Sequence, residues 1–384
     1  MDFDSLLKLM VHKKASDLFI TVGMPPAMKV NGKISPVTKS SLNSTQCHQI
    51  TTGIMSDKLR AQFEEEHECN FAISRSGVGR FRVSAFNQRG QVGMVLRRIE
   101  TTIPTYQDLK LPEVIKDLAM TKRGLIIFVG ATGSGKSTSL ASMIGYRNIN
   151  GSGHIITIED PIEFVHNHNN CIITQREVGI DTDSFAVALK NTLRQAPDVI
   201  LIGEIRTRET MDHAIVFAET GHLCLATLHA NNANQALDRI INFFPEERKP
   251  QLLMDLSMNM RAFVAQQLIP TPDGKGRRAA VEIMLNSPLI SDYVREGEIH
   301  KLKEVMKKSR EEGMQTFDQA LYDLYRSEEI TYEDALHHAD SPNDLRLMIK
   351  LGDEEATDAM GSTLEGVSYT DTNEEKNGMG GMSF

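Results

Sequence analysis

The apolar pattern changes character near residue 100. Before that point Phe3, Leu6, Leu7 and Met10 recur at helical spacing, which predicts a helix over Phe3–Val11. A strand is predicted at Leu18–Val22, broken by Gly23-Met24-Pro25-Pro26. Asn31-Gly32, set between Ala27–Val30 and Lys33–Val37, predicts a hairpin. Helical stretches around Thr45–Met55 and Asp57–Glu66 then precede strands near Cys69–Ser74, Gly79–Phe86 and Val92–Ile99. In the middle of these strands Phe81, Val83 and Ala85 face one way and Arg80, Arg82 and Ser84 the other; on spacing alone the second face reads as a solvated basic stripe. Residues 1–100 are therefore expected to form a small α+β unit, and 101–122, with Pro104, Pro112 and one short helical run, a linker.

From Gly124 onward short, nearly continuous apolar runs alternate with helical patterns. Leu125–Val129, Ile155–Ile158, Val199–Ile202 and Leu223–Leu228 suit parallel strands covered by helices on both faces. Helices are predicted at Lys136–Arg147, Ser184–Gln195, Arg208–Glu219 and Asn234–Asn242, and Pro288–Ala339 reads as mostly helical. The expected fold class is α/β: a small N-terminal α+β domain, then a mainly parallel P-loop domain over 123–340 ending in helices.

Composition narrows the possibilities. With 40% hydrophobic and 24% charged residues in 384, the chain can bury a sizeable core. No apolar run reaches the length of a membrane span, and Asp2, Asp4 and Lys8 interrupt the N-terminal apolar stretch, so neither a transmembrane segment nor a secretory signal is expected. Cys47, Cys69, Cys171 and Cys224 are far apart, which favours buried free thiols over disulfides or a zinc ribbon. The segment 351–384 holds eight acidic residues against the single base Lys376, so it carries −7 of the net −9. Residues 341–384 are expected to form an acidic, disordered tail. Nothing gives the basic footprint of a nucleic-acid partner. A cytoplasmic protein is expected.

The chemistry is concentrated in the second region. Gly130-Ala131-Thr132-Gly133-Ser134-Gly135-Lys136-Ser137-Thr138 fits G-x-x-x-x-G-K-[ST] between a predicted strand and a predicted helix. Its glycines let backbone N–H groups converge on phosphate, Lys136 supplies charge to the β- and γ-phosphates, and the Ser137 hydroxyl can ligate Mg²⁺. An ATP and Mg²⁺ site is expected. Pro197–Glu204 is an apolar strand ending in an acid, where P-loop folds place the carboxylate that holds Mg²⁺, usually through water. Glu159, Asp160 and Glu163 follow another strand; they can position or deprotonate a water, and a solvated acidic turn accounts for them equally well. His222 and His229 bracket Leu223–Leu228, which sets His229 at the same sheet edge. His166–Asn170 reads as a polar loop.

Together Gly130–Thr138, Ile158–Phe164, Gly203-Glu204 and Thr220–His229 resemble the Walker A, Asp box, Walker B and His box of secretion ATPases. Within that superfamily the chain, from Ala15-Ser16-Asp17-Leu18 to about residue 340, resembles the PilT/PilU family of type IV pilus retraction (twitching motility) ATPases. The resemblance implies a PAS-like N-terminal domain, a RecA-like ATPase domain and a homohexamer. It implies that Glu163 is the general base, Glu204 the acid that orders Mg²⁺, and His229 the histidine near the γ-phosphate. It further implies that Arg82 and Arg97 reach the phosphates from the N-terminal domain, within a subunit or across an interface. Thr207 in place of the usual aspartate, the stretch Leu289–Glu296 and the acidic tail set the chain toward the PilU branch. That implies a motor that drives or assists retraction, accessory to a PilT-type motor, at an inner-membrane platform protein. The competing expectations are a catalytically weak docking subunit and an assembly or type II secretion ATPase, the latter disfavoured by the lack of a CxxC pair.

Overall fold

The computed structural model describes residues 2–30, 32–99 and 102–352; Asn31 of the expected hairpin and the acidic residues beyond 352 lie outside the described residues. The N-terminal unit runs α1 (Phe3–His12), β1 (Asp17–Ile20), β2 (Ala27–Val30), β3 (Lys33–Pro36), α2 (Ser44–Gly53), α3 (Asp57–Glu66), β4 (Glu68–Arg75), β5 (Gly79–Gln88) and β6 (Gln91–Ile99). Its helices start at side-chain caps: Asp2 accepts from the Asp4 N–H, and Asn43 and Gln46 form a reciprocal capping box. The strands form one antiparallel sheet in the order β3-β2-β1-β6-β5-β4. The alternation in β5 is realised, with Phe81, Val83 and Ala85 buried against Leu7, Met10, Leu18 and Leu96.

The second unit contains α4 (Val114–Ala119), β7 (Gly124–Val129), α5 (Lys136–Asn150), β8 (Gly153–Glu159), β9 (Cys171–Glu177), α6 (Phe185–Thr192), β10 (Val199–Ile202), α7 (Arg208–Glu219), β11 (Leu223–Leu228) and α8 (Ala233–Asn242). It continues with α9 (Lys249–Asn259), β12 (Met260–Pro270), β13 (Arg277–Leu285), α10 (Pro288–Glu296), α11 (Leu302–Lys308), α12 (Phe317–Arg326) and α13 (Tyr332–His338). The seven-stranded sheet has the order β13-β12-β7-β11-β10-β8-β9, parallel throughout except for the β12–β13 hairpin at one edge. Every residue of β7, β10 and β11 is buried, because helices cover both faces. Ile127 and Val129 pack into one core, and Ile126 and Phe128 into the other. Burial of each such side chain contributes about 1.5–3 kcal/mol.

Four elements go beyond the pattern reading: β9, α9, β12 and β13. The stretch expected as a linker is a connector only in its first part. Leu111, Ile115, Leu118 and Ala119 join the core beneath α5. The fold also runs past the boundary expected at residue 340, since residues 342–352 are helical and carry Leu345 and Ile349 into the core. All four cysteines are free and buried. An ion pair joins the two units, from Arg80 Nη2 on β5 to Glu177 Oε2 at the end of β9, 3.3 Å apart.

Candidate active site

Parallel strands bring their carboxyl ends to one edge of the sheet, and the turns that leave β7, β8, β10 and β11 meet there. The turn after β7 is the Gly-rich loop. Gly130 has φ +154°, and a Cβ there would lie 2.4 Å from Ser134 Oγ and 2.6 Å from the Gln266 carbonyl, so the loop closes only around a hydrogen. Gly135 caps α5 in the left-handed region, φ 90°, with no side chain accepting from the first turn. The free N–H groups and the positive end of α5 therefore face the cavity.

That cavity, of about 510 Å³, is lined by Lys136, Ser137 and Thr138 from the loop and by Glu159, Asp160 and Glu163 after β8. Glu204 after β10 and His229 after β11 complete it. Thus Lys136, Ser137, Glu163, Glu204 and His229, spread over 94 residues of sequence, line one space. Thr132, Gly133 and Gly135 line it too, while Gly130, Ala131 and Ser134 line a second cavity, of about 320 Å³, against the same loop.

Lys136 is buried, and its ammonium donates to the Gly130 and Ala131 carbonyls at 2.7 and 2.9 Å. Burial pushes its pKa down, while Glu204 and Glu163 pull the other way. Glu204 accepts from Arg206 Nε through Oε2 at 2.7 Å, and its Oε1 lies 3.2 Å from His229 Nε2. Glu159 is half-buried in the cavity wall, and burial pushes its carboxyl up to about 7, against hydrogen bonds from Thr157 and Gln175 at 2.6 and 3.2 Å. Glu163 faces the cavity itself. A polyanionic triphosphate chain suits the loop donors and Lys136. The hydroxyl of Ser137 and the carboxylate of Glu204 are oxygen donors of the kind a hard divalent cation takes. Among the described residues no cluster of three or more His, Cys, Asp and Glu side chains could hold a metal by itself. Magnesium typically draws its remaining oxygens from phosphate and water.

The structure does not bring Arg82 and Arg97 to this cavity within one chain. Both stay in the N-terminal sheet, where Arg97 Nε pairs with the buried Asp17 at 2.9 Å. Residues that sequence reasoning passed over line the cavity instead: Arg206, Thr227, Leu268 and Arg277. Thr227 Oγ1 donates to the Gly203 carbonyl at 2.5 Å, tying the ends of β10 and β11 together. Arg206 lies two residues from Glu204, a spacing that could have flagged it. Leu268 and Arg277 come from the unpredicted hairpin, and no local signal marks them.

The family model described as "Type II/IV secretion system protein" matches residues 3–322. The chain is 68% identical over 378 residues to the type IV pilus ATPase PilU of Pseudomonas aeruginosa, covering 98% of this chain and 99% of that one. It is 41% identical over 342 residues to the type IV pilus retraction ATPase PilT of the same organism, covering 89% and 99%. Among solved structures it is similar to the pilus retraction motor PilT with bound ADP, with a TM-score of 0.84 and 39% identity over 90% of this chain and 99% of that one. With a Walker-type loop, a strand-end glutamate and a histidine gathered on one RecA-like sheet edge, the chain belongs to the type II/IV secretion system protein family, as a PilT/PilU-type pilus ATPase.

Proposed function

We propose that this protein is an ATP-hydrolysing motor subunit of the type IV pilus that drives or assists retraction, works with a PilT-type motor and assembles as a homohexamer. The observation that carries the reading is the single cavity in which Lys136, Ser137, Glu163, Glu204 and His229 converge. In it Lys136 and the loop N–H groups bind the β/γ-phosphates. Glu163 accepts the proton of the attacking water, and His229 stands beside Glu204 toward the γ-phosphate. Ser137 and Glu204 would hold the Mg²⁺, which would neutralise phosphate charge.

Arg82 and Arg97 act on the nucleotide of a neighbouring subunit, a reading supported by their position outside their own chain's cavity. Among the described residues no helix is long and apolar enough to cross a membrane. The motor is cytoplasmic and peripheral, docking on an inner-membrane platform protein at the pilus base. The test is ATP turnover of the purified protein with and without a PilT-type motor. The expected result is hydrolysis that Glu163→Gln lowers on the order of 10²–10⁴-fold while ATP still binds. Near wild-type turnover by Glu163→Gln would move the base to another carboxylate, Glu159 first; no turnover by the wild-type protein under either condition would overturn the motor reading.

A further inference from the structure

The chain between β8 and β9 carries Glu163 on irregular backbone, so its N–H and C=O groups need partners outside a ladder. The edge strand β9 supplies them through Gln175 and Glu177, two residues apart and so on one side of the strand. Gln175 Nε2 donates to the Phe164 carbonyl at 2.9 Å, and its Oε1 accepts from the His166 N–H at 2.8 Å. Glu177 Oε2 accepts from the Ile162 N–H at 3.4 Å. Glu163 is therefore bracketed on both sides by residues tied to β9.

Glu177 is 3% exposed, and a buried carboxylate is costly without a counter-charge. That charge comes from the other domain. Arg80 Nη2 meets the same oxygen, Oε2, that holds Ile162. Arg80 Nε is itself buried without a hydrogen-bond partner, which leaves Glu177 as the anchor of this guanidinium at the domain seam.

We infer that Arg80 is a positioning residue for hydrolysis: it couples the placement of the N-terminal domain to Glu163 through Glu177 and Ile162. Movement of the N-terminal sheet pulls on an oxygen that also holds the neighbour of the water-activating residue. Displacement of a reacting group by about 1 Å is enough to cost up to ~10²-fold in rate. Arg80 does not line the nucleotide cavity, and the inference rests on the reading of Glu163 as the base.

The test uses the full chain with Arg80→Ala, Arg80→Lys, Glu177→Gln and the double variant Arg80→Ala/Glu177→Gln. Each is measured for kcat and KM for ATP, fluorescent-nucleotide affinity and thermal stability. Arg80→Ala is expected to lower kcat on the order of tenfold with KM and affinity within about threefold. Arg80→Lys, which keeps the charge, is expected to recover most of the loss. The double variant is expected to be no slower than the slower single variant, because both act on one contact. Should Arg80→Ala fail to fold, Glu177→Gln, which keeps an acceptor for Ile162, carries the same comparison against Arg80→Lys. The inference is overturned by wild-type kcat in Arg80→Ala, by a parallel loss of affinity and kcat, or by losses that multiply in the double variant. Glu163→Gln is run alongside. If it is inactive while Arg80→Ala is normal, only the coupling fails; if it hydrolyses ATP normally, the reading of the base fails.

Discussion

The two sheets of this molecule handle charge in opposite ways. In the parallel sheet the strand ends point to one edge, so that residues far apart in sequence converge, and opposite charges meet there: Lys136 lies near Glu204 and Glu163, and Glu204 pairs with Arg206. In the antiparallel sheet Asp17, Arg97 and Arg82 sit in one cross-strand row, Asp17 opposite Arg97 and Arg97 opposite Arg82. Directly opposed like charges are destabilising in a sheet. Asp17 offsets Arg97, and among the described residues no carboxylate pairs with Arg82. One sheet gathers its charges at a single edge around a cavity. The other leaves Arg82 without an ion-pair partner among the described residues.

Lys136→Ala breaks the parallel-sheet edge and carries the largest expected effect. It removes the point charge that, on the proposed reading, the loop places on the β/γ-phosphates. Turnover is expected to fall at least on the order of 10²–10³-fold, with weaker nucleotide binding. Phosphate-release kinetics and nucleotide titration measure both, and retained binding with normal turnover would show that backbone donors alone suffice.

The arginine row sharpens the comparison, because its two members should separate stability from turnover. Arg82→Ala should lower turnover, by ~10³-fold or more if the arginine stabilises the transferring phosphoryl group, and it also removes a like-charge neighbour of Arg97. Thermal stability should hold or rise by a few tenths of a kcal/mol. Arg97→Ala should lower turnover too, but it also strips the counter-charge from Asp17, whose side chain is 5% exposed. A stability loss of roughly 1–3 kcal/mol is expected there, and Arg97→Ala/Asp17→Asn should restore it without restoring turnover. Equal stability loss in both single variants would mean that the row is an ordinary structural feature.

This contrast also explains how much of the site the sequence alone reveals. Walker A and Glu204 are read from contiguous motifs at the ends of apolar strands, whereas Glu163 and His229 are only placed at that edge by their strands and are singled out by the family resemblance. The hairpin β12–β13 was hidden because Met260–Pro270 is rich in Met, Arg, Ala, Gln and Leu, good helix formers that pairing with β7 turns into a strand. With it went Leu268 and Arg277. The edge strand β9 has mixed burial, with Ile172 63% exposed, so it lacks the continuous apolar run of its neighbours, and Gln175 and Glu177 lost their context. Arg80, Arg82 and Arg97 show no local sign of function. What distinguishes them is what lies across a sheet or a domain seam.

The last expected effect, on stability alone, compares a buried carboxylate from each region. Asp17 meets a guanidinium at 2.9 Å, whereas Glu282 on β13 is 2% exposed and is held by the Ala233 N–H at 2.8 Å, at the start of α8. Burial dominates there and pushes the Glu282 carboxyl up to about 7 from the usual 4.5, with Asp340 adding to the rise and Lys303 opposing it. A carboxyl raised in the folded state stabilises most below its unfolded pKa and loses that contribution as pH climbs through the folded one. Stability should therefore decline between about pH 4.5 and 7, by up to ~3 kcal/mol for this group. Glu282→Gln keeps an oxygen for Ala233 and carries no charge, so its stability curve should be flatter, level with wild type near pH 5 and above it near pH 8. Denaturant unfolding at the two pH values measures this. A variant less stable than wild type by the same margin at both would mean that Lys303, not burial, governs Glu282.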